Sequence, residues 1–269
     1  MRFQKKLYDR VDNLTADTFP RTLLLIGEYG CGKRTLVKYI CDKFAFESED
    51  ISDKLNLEYI EEINQRVHPY IYTIDCSKLT VKNENVILKF LEEPLKNSFI
   101  ILMADNKYSI IPTVLNRCQL WEFESYPQDY LDEMIANCGY HQNDIIPDVA
   151  NTPGKIVEYK NYPMNDMVEL ATKIFNNMSA ANFANVLTIS RFIAFKNEKD
   201  KYDFNLFSSI LLAVSNRLCK SNAPKCYEIY DLTSTLDTNK YLFNVDKKSL
   251  FEKYLIELKI LVDRRDDNV

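Results

Sequence analysis

Apolar residues fall into two kinds of repeat along this chain. Four short runs, Thr22–Ile26, Tyr70–Ile74, Ser98–Met103 and Cys118–Phe123, are too brief for helices and rich in aliphatic and aromatic residues, so they predict strands. Stretches at helical spacing separate them. Leu36, Val37, Ile40, Cys41 and Phe44 share a face after the first run, and Val86, Ile87, Phe90 and Leu91 share one before the third. Residues 2–12, Leu57 to about Arg66 and Ser109 to Leu115 predict further helices, with Thr80 as the expected N-cap of the helix over 81–91. Pro69 is expected to end the helix before the second strand, because a proline disfavours helix at the residue preceding it. Glu47–Asp53 is read only as a charged segment. Strands alternating with helices predict an α/β unit with a parallel sheet covered on both faces. Its ligands would bind at the carboxyl ends of the strands, where Gly27 and Asp75 fall.

The pattern changes after Phe123. Residues 126–160 suggest a small helical unit interrupted at Ile145–Pro147 and Thr152–Gly154. From Lys155 to Val269 there is no glycine, and apolar residues follow helical spacing near 164–177, 181–196, 202–219, 224–236 and 248–263, which predicts an all-helical domain. The expected boundaries are 1–124, 125–163 and 164–269.

The first strand runs into Gly27, Gly30, Gly32 and Lys33, the form G-x-x-x-x-G-K of a phosphate-binding P-loop. Glycines let backbone N–H groups turn inward around an anion, the following helix adds its positive N-terminus, and Lys33 would reach the terminal phosphates. Three of the chain's five glycines lie in this loop. The next residue, normally a Ser or Thr that ligates Mg²⁺, is Arg34, whose guanidinium has no lone pair to give a metal. Thr35 lies about 100° further round the helix and is a poor substitute. At the end of the second strand Asp75 is followed by Cys76, where many ATPases place a glutamate that activates water. Both losses argue against hydrolysis at this loop. They leave two readings open, weak nucleotide binding and a loop kept only for the fold.

Composition narrows the classes. With 46% hydrophobic and 27% charged residues over 269 positions the chain has an ordinary globular make-up, and a formal net charge of −5 argues against a protein that coats nucleic acid alone. The seven cysteines are scattered without C-x-x-C spacing, which favours reduced, buried thiols over disulfides or zinc. No long apolar run and no signal-peptide core are present, so the expectation is a cytoplasmic protein with no membrane partner.

The blocks Ile74–Pro94, Phe99–Leu102 and Ile111–Gln119, with Leu-Glu-Glu-Pro and Pro-Thr-x-Leu-x-Arg-Cys at this distance from a P-loop, resemble the clamp-loader branch of the AAA+ ATPases. Within it they are most similar to the delta-prime type of bacterial DNA polymerase III subunit. The likeness is strong over about residues 22–124, weaker over 150–157 and general beyond. It implies an AAA+ core, a helical lid and a helical collar through which five subunits form a ring. It further implies partners: the other clamp-loader subunits, a sliding clamp and primer–template DNA. By this resemblance Arg117 falls on an arginine finger that reaches a neighbour's nucleotide, Lys155 on the second-sensor position, and Lys82 and Lys89 on the helix facing DNA.

Departures from the family are equally specific. Few residues precede the first strand to form an adenine pocket, Ala104–Asn106 replaces the threonine-bearing first sensor, and residues 42–75 lack the cysteines of the family's zinc module. The expectation is therefore a non-hydrolysing subunit without zinc, in the cytoplasm of a bacterium or of a phage's host, with ATP and its Mg²⁺ left open. The alternatives are an active ATP-hydrolysing subunit of the same ring, or a stand-alone P-loop NTPase of DNA replication or repair.

Overall fold

A computed structural model describes residues 3–63, 68–92, 98–140, 144–186, 188, 203–242 and 245–264. It forms two compact units, Met1–Pro127 and Gln128–Val269.

In the first unit the elements run α1 (Lys5–Asp12), β1 (Thr22–Ile26), α2 (Lys33–Phe44), β2 (Glu47–Asp50), α3 (Leu57–Ile63), β3 (Tyr70–Asp75), α4 (Val81–Glu92), β4 (Ser98–Ala104), α5 (Pro112–Leu115) and β5 (Gln119–Glu122). The strands form one sheet in the order β2-β3-β4-β1-β5, and every neighbouring pair is parallel. Alternate residues of each strand feed two cores. Leu24, Ile26, Tyr72, Ile74, Ile100 and Leu102 pack with Ile87, Phe90 and Leu91 of α4 and Val114 of α5. Leu23, Leu25, Ile71, Phe99, Ile101, Met103 and Trp121 pack with Leu7 and Val11 of α1 and Leu36, Val37 and Ile40 of α2. Because both faces are covered, the central strands carry consecutive apolar residues instead of alternating apolar and polar ones.

Two expectations need correcting in this unit. Glu47–Asp50, read as a charged segment, is the edge strand β2; it needs little apolar surface because it has only β3 beside it and is largely exposed. The helix expected over Ser109–Leu115 is shorter, because a separate tight turn at Lys107–Ser109 precedes α5 and Pro112 starts the helix. Thr80, the expected N-cap, directly precedes α4; its hydroxyl donates to Asn83 Oδ1 at 2.5 Å, while Asn83 Nδ2 donates to Leu55 O at 2.8 Å and ties α4 back to the segment before α3.

The described part of the second unit is helical: α6 (Gln128–Asn137), α7 (Ile146–Val149), α8 (Pro153–Glu158), α9 (Met164–Asn177), α10 (Phe204–Lys220), α11 (Cys226–Asn239) and α12 (Lys247–Asp263). Pro147 and Pro153, read as interruptions, open α7 and α8, where a missing N–H costs nothing. Asp203 and Asp246 cap α10 and α12 by accepting from Leu206 N at 2.8 Å and Ser249 N at 3.1 Å. Most of the helix expected over 181–196 lies outside the described residues. Among described residues no helix is long and apolar enough to cross a membrane, and all seven cysteines are free thiols.

One buried charge holds α10 to α11. The ammonium of Lys240 has 1% side-chain exposure and donates to Asp237 Oδ1 at 2.5 Å, Ser209 Oγ at 2.8 Å and Asn205 O at 3.0 Å, so each of its three protons has an acceptor. Removing the carboxylate leaves the cation buried without a counter-charge, which costs about 3–5 kcal/mol where exposed pairs contribute under about 1 kcal/mol. Asp237→Ala should therefore lower the unfolding free energy of this unit by about 3 kcal/mol in urea denaturation followed by circular dichroism. A loss below about 0.5 kcal/mol would show that Lys240 is not held in this way.

Candidate functional site

The register of the sheet assembles the site. Ile26 at the end of β1 lies opposite Ala104 of β4, Asp75 at the end of β3 lies opposite Met103, and Asp50 at the end of β2 lies opposite Thr73. Asp50, Asp75 and the Asp105 that follows β4 thus stand at the carboxyl ends of three adjacent strands. The loop leaving β1 crosses this edge and delivers Lys33 and Arg34 on the first turn of α2.

The glycines act in two ways. Gly30 and Gly32 take φ of 78° and 104°, a left-handed conformation that side chains disfavour. Gly27 is required for space, since a Cβ there would lie 2.7 Å from both Cys31 Sγ and Phe123 Cβ. The loop is pinned at two further points: Gly27 N donates to Ala104 O at 3.1 Å, and the Tyr126 hydroxyl donates to Cys31 O at 2.8 Å.

The cations of α2 are paired with the strand ends. Lys33 Nζ donates to Gly27 O, to Glu28 O at 3.3 Å and to Asp105 Oδ1 at 2.9 Å, using all three of its protons. Arg34 Nη2 lies 3.3 Å from Asp50 Oδ2 and 3.9 Å from Asp75 Oδ2. Burial pushes the Asp50 carboxyl up, but hydrogen bonds from Ser52 and the charges of Arg34 and Lys78 outweigh it and hold the group below the usual carboxylate range. The Ser52 hydroxyl donates to Asp50 Oδ1 at 2.5 Å and accepts from Asp75 N at 2.8 Å, linking the ends of β2 and β3. Asp75 Oδ1 accepts from Ser77 N and Oγ at 3.0 and 2.7 Å. Cys76 is buried, and burial pushes its thiol well above its ordinary value, so it offers no anionic base at neutral pH. Thr35 is exposed at the next position of α2. These residues do not fit the Mg²⁺ of a P-loop site, because a guanidinium stands against the aspartate that would hold it.

The structure brings together Gly27, Gly30, Gly32, Lys33, Arg34 and Asp75, and adds Asp50 and Asp105, which sequence reasoning did not single out. The available signal for Asp105 was its place directly after a legible strand, like that of Asp75 at the end of β3; Asp50 had none, because β2 carries no apolar run. Arg117 is elsewhere. It precedes β5, and its carbonyl accepts from Thr22 Oγ1 at 2.7 Å, so it stands at the amino end of β1. The five residues of β1 separate it by about 16 Å from the loop. Its guanidinium donates to Glu92 Oε1 at 2.5 Å and Thr113 O at 2.8 Å, an exposed pair with Glu92 that the sequence did not reveal. Lys89 is exposed on α4; Lys82 is on the same helix, but its side chain lies outside the described residues. Lys155 belongs to the second unit, in α8, where its nearly buried amine donates to Asn151 Oδ1 at 2.8 Å.

A parallel sheet with a glycine loop and lysine between β1 and α2 defines a P-loop α/β protein. Residues 70–127 match the family described as DNA polymerase III, delta subunit. The DNA polymerase III subunit delta' of Haemophilus influenzae is 31% identical over 100 residues, covering 34% of this chain and 31% of that protein. The subunit delta' of Bacillus subtilis is 28% identical over 94 residues, covering 34% of this chain and 29% of that protein. Over this stretch the chain is similar to delta-prime subunits of DNA polymerase III, and the matched stretch spans under a third of each relative's length. Among solved structures, a DNA polymerase III gamma subunit-related protein of Thermotoga maritima aligns with a TM-score of 0.44 at 14% identity, over 97% of this chain and 100% of that one. A RuvB variant of the same organism aligns with a TM-score of 0.48 at 15% identity, over 94% and 86%.

Crowding at Gly27 gives a direct test of the loop. Gly27→Ala forces Phe123 Cβ, which is fixed to the backbone, to move, and should cost about 1–3 kcal/mol of stability in chemical denaturation. An unchanged midpoint would show that the loop and Phe123 do not pack as described.

Proposed function

We propose that this chain is a non-hydrolysing clamp-loader subunit, a delta-prime-like stator that helps to load a sliding clamp onto primed DNA and supplies Arg117 to a neighbouring subunit's ATP. The observation that carries the reading is the position of Arg117. It lies inside the stretch matched to the family and at the sheet edge opposite its own P-loop, too far to act on a phosphate held there. A finger so placed serves another chain. Its pairing with Glu92 is no obstacle, because exposed ion pairs contribute under about 1 kcal/mol and exchange readily for a phosphate oxygen.

The other roles follow from the same reading. ATP and Mg²⁺ are held by the neighbours, the helices from residue 164 onward form the collar of a hetero-oligomeric ring, residues 125–163 are the lid, and Lys155 is a lid residue at the second-sensor position. Primer–template DNA is met by α4, through the exposed Lys89 and, by the resemblance, through Lys82 of the same helix. The working compartment is the cytoplasm.

Mixed complexes in which this subunit alone is altered test the proposal. Arg117→Ala should lower ATP turnover of the assembled complex by about 10³-fold or more, as loss of an arginine finger does. Arg117→Lys should recover little, because lysine keeps the charge but loses the planar fork. Lys33→Ala, which alters only this subunit's own loop and its link to Asp105, should leave turnover unchanged. Wild-type turnover in the Arg117→Ala complex, with assembly confirmed, would remove the finger role; a strong loss with Lys33→Ala would show that this subunit hydrolyses ATP itself.

A further inference from the structure

The pairing of Arg34 says more than that a metal ligand is missing. The side chain stands on the first turn of α2, where the helix dipole disfavours a cation, and that turn carries no acidic residue of its own. What offsets the dipole comes from outside the helix. Asp50 Oδ2 and Asp75 Oδ2, from the ends of neighbouring strands, converge on a single nitrogen, Arg34 Nη2, at 3.3 and 3.9 Å. Both carboxylates are fixed in place, Asp50 by the amide and hydroxyl of Ser52 and Asp75 by the amide and hydroxyl of Ser77. Lys33 cannot neutralise them, since its three protons go to two loop carbonyls and Asp105, and Lys78 is engaged by Asp53 at 2.5 Å.

We infer that the Arg34 guanidinium is a tethered replacement for the divalent cation of this site: it neutralises Asp50 and Asp75, keeps Mg²⁺ and Mn²⁺ out, and on removal opens a divalent-cation site on those two carboxylates. The guanidinium is flat and already carries its charge at any physiological pH, so the neutralisation needs no ion from solution. A metal entering beside it would meet like charge, and both carboxylates would have to exchange partner. The inference rests on reading Gly27–Lys33 as a P-loop, which is part of the stator proposal, but not on ring assembly.

The test is Mn²⁺ alone titrated into the full chain without nucleotide, with free metal read by electron paramagnetic resonance. Arg34→Ser should bind Mn²⁺ at least about tenfold more tightly than wild type. Adding Asp75→Asn to that variant should abolish the gain, and Arg34→Lys, which keeps the charge, should behave as wild type. Arg34→Gln retains most of the stem without the charge and should match Arg34→Ser, so the result does not depend on how one variant folds. Two results would each overturn the inference: wild-type binding of Mn²⁺ that Asp75→Asn abolishes, or no gain in either neutral variant. Ring assembly plays no part in this titration, so its failure leaves the Arg117 experiment standing, and failure of that experiment leaves the titration standing.

Discussion

The parallel register of the five strands is the constraint on which the first unit depends. It forces the carboxyl ends of β2, β3 and β4 to one edge, and each of those ends, or the residue after it, is an aspartate. Three carboxylates crowded at one edge repel each other unless cations meet them. The same register sets the turn out of β1, which lays α2 across the edge and brings Lys33 and Arg34 against Asp105, Asp50 and Asp75. Backbone topology and charge balance are therefore one arrangement, and the glycine loop is the hinge that permits it.

Much of this could be read from the chain, and the misses have physical causes. Continuous apolar strands are easy to see because both faces of a central parallel strand are buried. The edge strand β2 was invisible for the converse reason, since Glu47, Ser48, Glu49 and Asp50 pair on one side only and stay largely exposed. Missing β2 meant missing Asp50, and with it the second partner of Arg34. Asp105 was seen only as part of a departure from the family, because nothing local in sequence says that a residue 72 positions from Lys33 will accept from its amine. Glu92 was hidden likewise, since the pairing depends on how α4 ends beside α5. In the helical unit the prolines were legible as punctuation, but whether a proline ends an element or starts one depends on the residues after it.

The two edges of the sheet carry opposite chemistry. At the carboxyl edge the charges that a P-loop normally turns toward nucleotide and metal are satisfied within the chain, and the buried Cys76 thiol supplies no base. At the amino edge Arg117 is held, among the described residues, by an exposed glutamate and a carbonyl, with its guanidinium at the surface. The proposed stator role requires such a division of labour, with charge contributed to a neighbour's reaction and none run at the chain's own loop.

That division can be checked most directly by native mass spectrometry of the protein purified intact, at endogenous level, from the cells in which it is made. The account predicts a hetero-oligomer in which this chain occurs together with other P-loop subunits, with bound nucleotide released from those subunits when they are separated and none from this chain. A monomer, a homo-oligomer, or nucleotide retained on this chain after separation would contradict it.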